Sequence, residues 1–99
     1  MDSETSLLTE EALKELPAPG SLDYWRIQVA EWAKAHPNRR KAREVNEPET
    51  AAQVLRSLSS GESIYRAAKN AGMSKIEASR ILFHHAEAMA RCRAGNVGR

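Results

Sequence analysis

The sequence predicts an all-α fold, a small helical bundle with a helix-turn-helix unit in its C-terminal half. Two observations carry this. Apolar residues recur at helical spacing in successive stretches, and no stretch alternates apolar and polar residues as a half-buried strand does. Proline, glycine and serine punctuate the chain between those stretches, where helices stop and start.

A short first helix is expected over Thr9 to Leu16, with Glu10 and Glu11 at its positive N-terminal end; Pro17, Pro19 and Gly20 stop it. Ser21 then caps "LDYWRIQVAEWAKAH", in which Leu22, Trp25, Val29 and Trp32 repeat at heptad-like spacing until Pro37 ends the helix. That stripe reads either as a core face or as a dimer seam with Trp25, Val29 and Trp32 as its anchors; it is too short to define a coiled coil. "HPNRRKAREVNEP" follows, a basic linker or arm, or else the frayed start of the next element. Pro48 at a first helical position opens a helix whose apolar stripe is Ala51, Val54, Leu55 and Leu58, and "SSG" closes it. The expected organisation is an acidic N-terminal segment over residues 1–36, a basic linker or arm over 37–47, a helix-turn-helix domain over 48–93 and a flexible tail over 94–99.

The most informative stretch is "GESIYRAAKNAGMSKIEASRILFHH", Gly61 to His85. Ser63 is a natural cap for "IYRAAKNA". Gly72 falls where the chain leaves that helix, and glycine tolerates the left-handed conformation such exits need. Ser74 opens the next helix with Glu77 three residues on, the spacing of a capping box. Small Ala68 suits a helix crossing, Met73 suits an apolar plug, and Ala78, Ile81, Leu82, His85 and Met89 share an inward face at helical spacing.

These features, with the run "GMSKIEASRIL", make residues of about 50–90 resemble the helix-turn-helix of resolvase and invertase DNA-binding domains, and more loosely region 4 of sigma factors. The resemblance implies that the helix starting at Ser74 enters the major groove of double-stranded DNA, with Lys75, Ile76, Ser79 and Arg80 towards the bases. Arg80 suits a bidentate bond to guanine, and Ile76 suits a thymine methyl group. It also implies backbone contacts from Ser63, Arg66, Lys69, Ser74 and His84, joined by the basic run Arg39, Arg40, Lys41 and Arg43. A unit of this size covers few base pairs, so a homodimer or larger assembly is expected, with a partner protein through the N-terminal helices as a further option.

Charge and composition agree with a polyanion partner. Residues 1–36 hold three Lys and Arg against seven Asp and Glu, whereas residues 37–99 hold twelve against six. No apolar run is long enough to span a membrane, and "MDSETSLLTEE" lacks the layout of a signal peptide, so a cytoplasmic, nucleoid-associated protein is expected. Cys92 is the single cysteine, which excludes an internal disulfide. No catalytic constellation or Gly-rich phosphate loop stands out, and adjacent His84 and His85 point about 100° apart on a helix, so neither an enzyme nor a metal or cofactor site is expected. The favoured expectation is a small sequence-specific regulator or recombination accessory factor of phage or plasmid type. The alternatives are a small terminase-like packaging subunit and an adaptor or inhibitor that uses the Trp-bearing helix.

Overall fold

Local sequence signals set most of the helix ends. The computed structural model describes residues 17–97 and contains, within them, six helices and no strand: α1 (Leu22–Ala35), α2 (Arg43–Asn46), α3 (Pro48–Ser59), α4 (Ile64–Ala71), α5 (Lys75–His84) and α6 (Ala86–Val97). The predicted helix over Thr9 to Leu16 lies outside the described residues. Ser21, Ser63 and Ser74 cap α1, α4 and α5 through their hydroxyls, which accept from the backbone N–H groups of Tyr24, Arg66 and Glu77 at 3.2, 3.1 and 3.1 Å. Pro48 occupies the first turn of α3, where its missing N–H costs nothing.

Helix α3 is the hub and touches each of the other five. Its stripe of Ala51, Ala52, Val54, Leu55 and Leu58 is buried, and Trp25 and Val29 of α1 pack into the same core at 0% exposure. The Trp25 indole N–H is satisfied within that core, donating to Ser59 Oγ at 3.1 Å. On the surface, the Arg26 guanidinium spans from α1 to α3 with two parallel bonds to Glu49, at 2.8 and 2.7 Å. Gly20 precedes α1 with φ +90° and allows close approach, since a Cβ there would stand 3.1 Å from Cys92 Sγ. Residues before position 37 and after position 48 therefore contribute to one core.

That packing corrects the expected dimer seam. Trp25 and Val29 face α3 and are wholly buried, so a second copy cannot reach them in this folded state. Trp32 is also committed within the chain: its indole lies between two imidazoles, stacked on His36 at 4.3 Å and on His84 at 4.4 Å. The expected linker over 37–47 is partly helical. Its helix α2 packs against α1, α3 and α5, and Glu44 within it is buried.

The inward face expected to run from Ala78 to Met89 is divided between two helices. At His85 the chain turns out of α5, its N–H shared between the Ile81 and Leu82 carbonyls at 3.2 Å each. The bend brings α6 back against α3 and buries Ala88, Met89 and Cys92. Helix α6 continues to Val97, into the stretch 94–99 expected as a flexible tail.

Candidate nucleic-acid interface

The α4–α5 corner closes on glycine. Gly72 takes φ +70° and ψ +34°, the left-handed region. Its N–H donates to the Lys69 carbonyl at 3.2 Å and the next N–H, of Met73, donates to the Ala68 carbonyl at 3.0 Å. This paired return is the Schellman arrangement, and it satisfies carbonyls that the end of α4 would otherwise leave free. Met73 follows as a partly buried plug against the core, as the sequence predicts. One residue later Ser74 starts α5, so the corner fixes both the direction and the first residue of that helix.

Helix α5 divides cleanly between an inner and an outer face. Ala78 and Ile81 point inward and are buried. Lys75, Ile76, Ser79, Arg80 and Phe83 point outward and together line one shallow recess. Ile76 is 67% exposed and Phe83 is 79% exposed, unusual values for large apolar side chains, and no described element covers them. Tyr65, on the outer side of α4, is 68% exposed. Phe83 and Tyr65 were not among the sequence-predicted site residues; the signal for Phe83 was its spacing of seven from Ile76, which repeats the same face after two turns.

A second basin adjoins the first, and Arg80 lines both. This basin of about 850 Å³ is lined by Arg39, Arg40 and Lys41 of the segment before α2 and by Arg80, with Arg43, Glu44, Glu47 and Glu77 also on its wall. The segment is held there by two ties from α2 to α5. Arg43 Nε donates to Glu77 Oε2 at 2.7 Å, and the His84 imidazole donates to Glu44 Oε1 at 2.6 Å. The first tie raises the Arg43 pKa above its ordinary value through hydrogen bonds to Glu77 and then Glu47.

These ties engage two residues expected at the phosphates and replace half of the capping box. Arg43 spends its guanidinium on Glu77 and Glu47, because α2 turns it towards the first turn of α5. The His84 side chain, 17% exposed, is held between the Trp32 ring and the Glu44 carboxylate and does not face outward. Ser74 does cap the N–H of Glu77, but the Glu77 carboxylate reaches Arg43 and not the Ser74 backbone. Glu44, which a sequence reading leaves in a solvated basic run, turns out to anchor the run to α5 at 2% exposure.

The remaining predicted contacts of the corner are exposed. Ser63, Arg66 and Lys69 lie on or before α4 and are exposed, as are Ser74 and the four base-contact residues Lys75, Ile76, Ser79 and Arg80. Arg66 is in a loose contact with Glu62 at 3.9 Å. Among the described residues Arg39, Arg40, Lys41, Lys69, Lys75 and Arg80 take part in no ion pair, whereas Glu44, Glu47 and Glu77 are all engaged by partners. No helix among the described residues is long and apolar enough to cross a membrane. Comparison with protein-family models, with curated proteins and with solved structures gave no match for this chain.

Proposed function

We propose that this chain is a sequence-specific DNA-binding protein, of the small regulator or recombination accessory type, which lays α5 in the major groove. One observation carries the reading: the outer face of α5 presents Arg80, a cation without an internal partner among the described residues, beside Arg39, Arg40 and Lys41. Glu44, Glu47 and Glu77 are engaged within the chain by His84 and Arg43, and the cations around the basin outnumber them, so the surface presents net positive charge to a polyanion. In this pose Arg80 reads guanine, Lys75 and Ser79 meet base edges or phosphates, and Ser63, Arg66 and Lys69 meet the backbone. A single corner reads few base pairs, so a second copy or a repeated site supplies the rest.

The test is selection of bound duplexes from a random pool, followed by fluorescence anisotropy with the recovered site. Arg80→Ala should weaken binding by roughly tenfold or more and relax the preference at one base pair. Unchanged affinity together with unchanged preference would remove α5 as the reading helix.

A second reading has its own support. Tyr65, Ile76 and Phe83 are exposed apolar side chains of the kind that protein interfaces recruit. An adaptor or inhibitor would thus work through α4 and α5, since the Trp stripe of α1 faces the core. Such a module should show no DNA affinity that falls steeply with salt. A packaging subunit would instead reveal itself as a ring-sized mass in light scattering.

A further inference from the structure

Ile76 and Phe83 need an explanation that a purely basic surface does not provide. They stand two turns apart on one side of α5, roughly 10 Å along its axis, with Ser79 and Arg80 between them. All four line the same recess, together with Lys75. Side chains so exposed gain nothing from the fold, and a phosphate contact gains nothing from an apolar ring. The major groove contains one apolar group at base level, the 5-methyl of thymine, and apolar side chains are its usual partners.

We infer that Ile76 and Phe83 read two thymine methyl groups that flank the guanine held by Arg80. The inference rests on the DNA-binding reading and gives that reading a composition for its site. Arg80 fixes the register, because it stands between the basic basin on one side and the apolar recess on the other. The basin takes the phosphate strand and the recess takes the methyl edge. With stacked bases about 3.4 Å apart, the separation of Ile76 and Phe83 matches thymines about three steps apart.

The test uses the full chain and the duplex recovered by selection, with each thymine replaced in turn by deoxyuridine. That change removes one methyl group and leaves base pairing intact. At two positions, about three steps apart, deoxyuridine should weaken binding roughly fourfold, the value of one buried methyl. In Phe83→Ala one of those positions should become indifferent to the methyl, and in Ile76→Ala the other. Both side chains are exposed, so the variants should keep the wild-type helical circular dichroism. Equal binding of every deoxyuridine duplex would overturn the inference while leaving the DNA-binding reading intact. A methyl effect that persists undiminished in both variants would overturn it as well. Recovery of no duplex at all would instead remove the DNA-binding reading on which it stands.

Discussion

Burial holds the His85 imidazole neutral well below the range in which it titrates in water. Its pKa is lowered to about 4, first by desolvation and then by the positive forms of His84 and His36, with the Glu44 carboxylate opposing. The unfolded chain therefore binds a proton near pH 6.5 that the folded chain refuses until about pH 4, and stability falls as pH drops through that window. The loss should be on the order of 2 kcal/mol, and urea denaturation from pH 7 to pH 4.5 should show it; His85→Leu should flatten that slope. The imidazole Nε2 is buried without a partner among the described residues, which further favours an apolar replacement at this position. Glu44 is the complementary case. Removing its carboxylate in Glu44→Ala leaves a void in the core edge and frees His84, so the thermal midpoint should fall by several degrees, on the order of 2 kcal/mol. His85 was legible in the sequence, because it follows Ala78 and Ile81 at core spacing. Glu44 was not, since its reason for burial is an imidazole forty residues further on.

At the scale of elements, the corner depends on backbone conformation more than on contact. A Cβ added at Gly72 would meet nothing within 4 Å, so the cost of Gly72→Ala is the left-handed φ alone, about 1 kcal/mol. Gly72→Asn should lose less, because asparagine tolerates that region better; chemical denaturation of the pair separates backbone strain from crowding. Ser74→Ala should also cost about 1 kcal/mol by losing the bond to the Glu77 N–H. Because this cap sets where α5 begins, the DNA-binding proposal expects its loss to lower DNA affinity beyond the change in stability. Caps, glycine exits and Pro48 were legible because each is decided within four residues. What escaped was any feature whose second half is distant. The Glu77 carboxylate has the right spacing for a capping box, yet Arg43 reaches it from α2, and a charge-assisted bond outcompetes the neutral backbone N–H. The break at His85 escaped for the same reason, being set by the docking of α6 on α3.

For the whole molecule, the pairing of charges decides which cations remain for a polyanion, and this separates residues that the sequence shows as equivalent. Arg39, Arg40, Lys41 and Arg43 form one basic run, but Arg43 is bound to Glu47 and Glu77 while the other three are in no ion pair among the described residues. If Arg39, Arg40, Lys41, Arg66, Lys69 and Lys75 each neutralise a phosphate, the log–log salt slope is about −5 per copy. Lys41→Ala should shrink that slope by roughly 0.9 and leave stability unchanged, because its side chain is exposed and makes no ion pair. Arg43→Gln should do the reverse. It cuts the tie between α2 and α5, so it should lower stability, and weaken binding by loosening the Arg39–Lys41 segment, while the salt slope stays at the wild-type value. Equilibrium denaturation and anisotropy titrations between 50 and 200 mM salt, run on both variants, distinguish the roles. If Arg43→Gln lowered the slope as Lys41→Ala does, the tie would be dispensable and Arg43 would join the phosphate contacts that its place in the run first suggested.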